Sequence, residues 1–287
     1  MRTAAVNTVP AADASTTCCH ALGNVTWQVE PGWQSALLSD GGLRLDEWLA
    51  DGQASIIKAG SHRTVYRVDL PDRSFFLKHY RCRSLPAATR HLVRPSASHR
   101  EWRKAFAISD RHVATFRPVA LGEQRRAGLV YDSFLVTEAV ADSCSFDDFV
   151  DKVLPRLPAD RRHATRRRLL KRLAEFCARA HDEGIDHDDF HTGNILVQTA
   201  ADPSSDLRLL LIDLPGVRLS GPLAWRRSRN SLAMLYAGWL DRLGPADAWR
   251  FWRHYLSARR HLPLDDVRAA GLSVGAHSRR ARRRVLR

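Results

Sequence analysis

One stretch in the second half of the chain constrains everything else: Ile185-Asp186-His187-Asp188-Asp189-Phe190-His191-Thr192-Gly193-Asn194-Ile195-Leu196-Val197, answered further on by Leu210-Leu211-Ile212-Asp213-Leu214-Pro215-Gly216. The first piece is a polar loop that carries the carboxylate of Asp189 and the carboxamide of Asn194 and runs straight into an apolar strand. The second is an apolar run that ends in the carboxylate of Asp213. Two strands joined by a tight turn bring Asn194 and Asp213 to the same end of a small sheet. There both can ligate one divalent metal ion, with Asp189 standing beside it as a base. Two plainer readings compete, an acidic solvated turn and a metal site built on His187 and His191. The latter needs both histidines on one helix face, and Gly193 with a following strand argues against a helix.

The spacing His187-x-Asp189-x-x-x-x-Asn194, followed by Asp213, resembles the kinase catalytic loop H-x-D-x-x-x-x-N and its later metal-binding aspartate. The resemblance implies an α+β, protein-kinase-like fold of two lobes, a small mainly-β N-lobe and a larger mainly-α C-lobe, with the active site between them. It also implies ATP as phosphate donor and Mg²⁺ held by Asn194 and Asp213.

The remainder of the chain is compatible with that size and class. Its 287 residues, 44% of them hydrophobic, are enough for two lobes with a proper core. No apolar run approaches the roughly 18–20 residues that span a bilayer. Residues 1–24 have no apolar signal-peptide core and, being rich in Ala, Thr and Ser, are expected to form a disordered lead; a cytoplasmic protein is expected. The odd set Cys18, Cys19, Cys82, Cys144 and Cys177 contains no C-x-x-C pair, which favours reduced thiols. A net charge of +14 attracts polyanions: nucleic acid, an anionic membrane surface or a phosphorylated glycolipid. Much of the charge lies in Arg279 to Arg287, which reads equally as a frayed, solvated tail or as a surface-binding segment.

Along the chain, residues 25–138 are expected to form the N-lobe with its N-terminal extension, 139–262 the C-lobe, and 263–287 a basic tail. Leu43 to Leu49 suggests a short helix. Strands are expected over Ser55 to Lys58, Thr64 to Leu70 and Phe75 to Tyr80. The turn between the first two holds Gly60 and reads either as a phosphate-covering loop or as an ordinary hairpin. Lys78 on the third strand is placed to contact the nucleotide phosphates. Its partner is nominated by elimination, since Glu101 is the only acidic residue between Lys78 and Asp110. Glu101 also reads as half of a helix capping box with Ser98. The strand ending at Glu138 leads to a hinge where backbone groups near Glu138 to Val140 would bind adenine. Beyond it come a helix capped by Ser145, a longer one from about Asp160 to Glu183 ended by Gly184, and helices over Trp225 to Trp239 and Trp249 to Tyr255.

The loop His187 to Asn194 is similar to the H-G-D-x-H-x-x-N version of aminoglycoside phosphotransferases and other small-molecule kinases. Asp213 followed closely by Arg218, and then Trp225-Arg226-Arg227-Ser228-Arg229-Asn230, resembles the bacterial lipopolysaccharide kinases, which phosphorylate heptose or Kdo of the inner core. The resemblance covers about residues 53 to 245. It implies that Asp189 is the catalytic base or acceptor-orienting carboxylate, that Asn194 and Asp213 hold Mg²⁺, that Lys78 contacts the phosphates and that Glu101 holds Lys78. Asn230 stands where many members have an acidic residue that braces the catalytic loop. The expected partner is an anionic glycolipid or small sugar rather than nucleic acid, met at the inner face of the cytoplasmic membrane by peripheral association. The alternatives are an aminoglycoside or other small-molecule phosphotransferase, a protein kinase, which lacks its long activation segment here, and an inactive kinase-fold module that binds membrane or nucleic acid.

Overall fold

The computed structural model describes residues 17–81, 95–126, 129–199, 206–238, 242, 244–262 and 267–285, the side chains of 267–269 and 280–285 excepted. They form two units, one of residues up to 110 with 117–139, the other of 111–116 with the chain from 140 onward.

In the first unit the alternating segments pair into one antiparallel sheet in the order β1-β2-β8-β9-β7-β6-β5. Its strands are β1 (Cys18–Leu22), β2 (Val25–Val29), β5 (Ala54–Ala59), β6 (Arg63–Asp69), β7 (Ser74–Arg81), β8 (Pro118–Arg126) and β9 (Leu129–Glu138). Helix α1 (Gln34–Leu37), the small hairpin β3 (Leu38–Ser39) and β4 (Gly42–Leu43), and α2 (Leu45–Ala50) lie between β2 and β5. Trp27, Trp33, Trp48, Phe75, Leu77, Val68 and Val136 form the core that these elements cover. A fully buried aromatic or leucine contributes about 1.5–3 kcal/mol of apolar transfer. Gly122 on β8 is required by this packing, because a Cβ there would lie 2.7 Å from the Trp27 ring. Helix α3 (Ala97–Ser109) packs Trp102 against Leu121 and Leu135.

The structure differs from the sequence reading at three places here, one of them the rival capping-box reading of Ser98. The lead is ordered from Cys18 onward, since β1 pairs with β2 in register Cys18↔Val29 to Leu22↔Val25; residues 1–16 lie outside the described residues. The cap of α3 is Ser96, whose hydroxyl accepts from the His99 amide at 3.1 Å, and not Ser98, which donates to Ser133 Oγ at 3.0 Å. Residues 111–116, expected in the N-lobe, belong to the second unit: the Leu211 amide donates to Ala114 O at 2.9 Å and Thr115 Oγ1 to Leu211 O at 2.6 Å.

The second unit is mainly helical. Its strands are β10 (Ser143–Ser145), β11 (Ile185–His187), β12 (Ile195–Thr199), β13 (Leu207–Leu211) and β14 (Val217–Leu219). Its helices are α4 (Phe146–Asp148), α5 (Ala159–Asp182), α6 (Trp225–Ala237), α7 (Pro245–Ala258) and α8 (Val267–Val285). Ser145 caps α4 as its spacing predicts, accepting from the Asp148 amide at 3.1 Å. The apolar stripe Leu169, Leu170, Leu173, Ala174, Cys177 and Ala180 is the buried face of α5. The basic tail is corrected too. From Val267 it is a helix whose Ala270, Val274 and Ser278 are buried, with Ser278 Oγ bonding Ala233 O on α6 at 2.9 Å. The side chains of Arg280 to Arg287 lie outside the described residues, as does Cys82; Cys18, Cys19, Cys144 and Cys177 are free thiols.

Candidate active site

The catalytic stretch begins where α5 stops. Gly184 has φ +71°, and a Cβ there would sit 2.0 Å from Ser220 O, so glycine alone permits this close turn. β11 then pairs antiparallel with β14, Ile185 opposite Leu219, Asp186 opposite Arg218 and His187 opposite Val217. Arg218 bonds Asp188 Oδ1 at 2.5 Å and approaches Asp186 Oδ2 at 3.4 Å, and Arg227 reaches the same Asp186 oxygen at 3.2 Å. The Asp188 charge, then that of Asp186, raises the Arg218 pKa. Of the three carboxylates at 186, 188 and 189, two are thus held by arginines. The third, Asp189, is 70% exposed, with His191 Nε2 at 3.5 Å from its Oδ2.

His187 joins the two catalytic pieces of sequence physically. Its Nδ1 accepts the Asp189 amide at 3.0 Å, so the neutral ring carries its proton on Nε2. Burial lowers its pKa, while backbone groups of Ile212 and Asp213 and the charges of Asp189 and Asp213 act the other way. β12 pairs with β13, Ile195 opposite Leu211, and the Ile212 amide donates to Asn194 O at 2.9 Å. Asn194 and Asp213 therefore meet at one end of this small sheet, as the strand reading requires. Asn194 is buried and its Nδ2 donates to Asp189 O at 2.9 Å. Asp213 has φ 57° and ψ 62°, a left-handed conformation that costs an L-residue about 1–2 kcal/mol. Strain of this kind is held where the surroundings over-determine it.

Among the described residues there is no cluster of three or more His, Cys, Asp or Glu side chains suited to a metal. The donor set at the sheet end is a carboxamide oxygen and a carboxylate, both hard. It fits Mg²⁺, which takes one or two protein oxygens and completes its shell with water and phosphate. The rival histidine pair does not fit: β11 and a 3₁₀ turn hold His187 and His191, and each Nδ1 already accepts an amide, from Asp189 and Gly193.

In the first unit Lys78 Nζ lies 2.5 Å from Glu101 Oε1, and Glu101 is 0% exposed. The ion pair, and not the capping box, is the role of Glu101. Gly60 is in the β5–β6 turn, its amide donating to Arg63 O at 2.8 Å. At the end of β9 the Glu138 amide donates to Arg117 O at 2.9 Å and the Ala139 amide to Ser74 O at 3.0 Å, while Val140 O accepts from Ser143 Oγ at 2.7 Å. The structure thus brings Asp189, Asn194 and Asp213 together in one unit and Lys78 and Glu101 together in the other.

Some site residues escaped the sequence. Asp147 accepts Thr192 Oγ1 and Arg242 Nη1, each at 2.8 Å, tying the catalytic loop to α4. Arg218 and Arg227 brace its acidic side, whereas Asn230, which departs from the acidic residue of many family members, is exposed. Neither arginine nor Asp147 stands in a local pattern that marks it, since each meets its partner from far along the chain.

The lipopolysaccharide kinase (Kdo/WaaP) family matches residues 46–255. The lipopolysaccharide core heptose(I) kinase WaaP of Escherichia coli is 26% identical over 222 residues, 75% of this chain and 81% of that protein. WaaP of Pseudomonas aeruginosa is 28% identical over 211 residues, 71% of this chain and 77% of that one. A solved structure of WaaP in complex with acyl carrier protein superposes with a TM-score of 0.63 at 23% identity, covering 91% of this chain and 99% of the other, and the fold is protein-kinase-like. With the match spanning most of its length and the catalytic pattern assembled at one sheet end, the chain belongs to the lipopolysaccharide kinase (Kdo/WaaP) family of phosphotransferases.

Proposed function

We propose that this kinase transfers the γ-phosphate of ATP to a heptose hydroxyl of the lipopolysaccharide inner core. The observation that carries the reading is the catalytic loop itself: Asp189 is exposed and free to meet an acceptor, while its backbone is hydrogen-bonded to Asn194, which lies beside Asp213. The curated relatives are named as heptose kinases, which favours heptose over Kdo. Asp189 would orient the acceptor hydroxyl and take its proton. Lys78, fixed by Glu101, would hold the donor phosphates, Gly60 would approach them through its backbone, and the backbone near Glu138 to Val140 would bind adenine. Asn194 and Asp213 would hold Mg²⁺, which when bound neutralises phosphate charge. A sugar hydroxyl needs little activation in a loose phosphoryl-transfer transition state, so alignment and charge neutralisation supply most of the rate.

The short path from Asp213 through β14 to α6 supports a glycolipid acceptor over a protein. Among the described residues no helix is long and apolar enough to cross a membrane. A charge of +14 supports peripheral attachment at the anionic inner face of the cytoplasmic membrane.

The test is transfer of labelled γ-phosphate from Mg·ATP to an envelope glycolipid extract. Label entering the glycolipid with wild type, and not with Asp189→Asn, is the expected result. Measurable ATP binding without transfer to any glycolipid fraction would refute it.

A further inference from the structure

A carboxylate with no solvent exposure has two oxygens to satisfy, and Glu101 satisfies each with a different side chain. Oε1 faces Lys78 Nζ at 2.5 Å and Oε2 accepts from Tyr80 Oη at 2.7 Å. Lys78 and Tyr80 are two apart on β7, so both leave the strand on the same face, opposite to the buried Phe75 and Leu77. The phenol is kept as a donor, since burial and then the Glu101 charge push its pKa up. Arg63 lies over its ring at 5.9 Å and limits its movement. Neither Lys78 nor α3 alone fixes the carboxylate: a single ion pair leaves it free to turn about its last torsion, and the Tyr80 hydroxyl removes that freedom.

We infer that Tyr80 is a positioning residue of the nucleotide site, holding the second oxygen of Glu101 so that the first presents Lys78 to the donor phosphates. The inference rests on the reading of Lys78 as the phosphate-contacting lysine. No part of it touches the acceptor chemistry.

The experiment is the affinity of the full chain for Mg·AMP-PNP by titration calorimetry, with thermal midpoints recorded in parallel, for wild type, Tyr80→Phe, Glu101→Gln, the double variant and Lys78→Ala. Tyr80→Phe is expected to bind about tenfold more weakly, equivalent to about 1.4 kcal/mol. Because Tyr80 acts through Glu101, the double variant is expected to bind no more weakly than Glu101→Gln. If Tyr80→Phe does not fold, Tyr80→His, which retains an N–H donor, is read instead and is expected to bind between wild type and Glu101→Gln. Wild-type affinity in the Tyr80 variant, or losses that add in the double variant, would overturn the inference while leaving Lys78 in place. Undiminished affinity in Lys78→Ala would overturn the underlying reading of the lysine, a separate and distinguishable failure.

Discussion

The side-chain amide of Asn194 donates to the backbone carbonyl of Asp189 at 2.9 Å, so the residue proposed to hold the metal and the residue proposed to meet the acceptor are one hydrogen-bonded unit. The bond uses the Asp189 backbone and leaves its side chain out of the arrangement. Asp189→Asn is therefore expected to preserve the loop and the nucleotide affinity while turnover falls by roughly 10²–10⁴-fold, the usual contribution of a positioned base. Steady-state transfer rates and nucleotide titration on the same preparation check this. Lost affinity with retained turnover would remove Asp189 from its role.

The backbone of Asp213 separates charge from conformation. Asparagine adopts the left-handed region at least as readily as aspartate, whereas alanine does not. With φ at 57°, Asp213→Asn is expected to melt within about 0.5 kcal/mol of wild type, and Asp213→Ala to lose about 1 kcal/mol more. Both should lose the Mg²⁺ dependence of nucleotide binding. Equal Mg²⁺ dependence in wild type and Asp213→Asn would take the carboxylate out of the metal site.

Acid should weaken the fold through its buried histidines. His181 is fully buried, its Nδ1 2.8 Å from Tyr255 Oη, and burial, then the Arg259 charge, holds its pKa at about 3 against an ordinary 6.5. Between those values the unfolded chain binds a proton that the folded chain refuses, so stability falls as pH drops through this window and levels off below it. One such proton gives a slope of about 1.4 kcal/mol per pH unit. His79 and His187, whose pKa values burial also lowers, add in the same direction. Urea unfolding between pH 7 and pH 4 is expected to show the steep slope in wild type and a slope smaller by one proton in His181→Gln. The same slope in both would place the titration elsewhere.

What could be read from the sequence was what neighbouring residues decide. The strand and helix periods, the Ser145 cap, the Gly184 stop and the catalytic spacing are local, and each is where the residues put it. Glu101 was found by elimination because a lysine in this setting needs an acid and one was available. The rival capping box of Ser98 with Glu101 satisfies the local pattern but does not form, because the Ser98 hydroxyl bonds Ser133 on β9 and Ser96 caps the helix. The strand Cys18–Leu22 has the small, polar composition of a disordered lead; pairing with β2 orders it. Docking of α8 on α6, and the arginine pair on Asp186, depend on residues brought together from far along the chain, for which one sequence carries no signal.

Arg259 is the largest such case. Its Nε bonds Asp182 Oδ1 at 2.8 Å, with side chains 0% and 1% exposed, and its other nitrogens reach Ser228 Oγ, Tyr255 Oη and Leu223 O at 2.9, 2.6 and 2.9 Å. One guanidinium thus ties the end of α5 to the start of α6 and the end of α7, just before the catalytic strand β11. Asp182→Ala leaves the buried guanidinium without its counter-charge and is expected to cost about 3–5 kcal/mol in urea unfolding, while Arg259→Ala is expected to cost about 3 kcal/mol, since Arg260 still reaches Asp182 Oδ2. Replacing both at once, Asp182→Leu with Arg259→Met, strands no charge and should cost less than the sum of the single changes. Additive losses would mean that desolvation of the pair is not what makes the single changes expensive. Turnover in the double variant then isolates a second effect: Asp182 lies two residues before Gly184, and if the network also aims β11, transfer should remain depressed after stability has returned. Full recovery of both would confine Asp182 and Arg259 to holding the helices together.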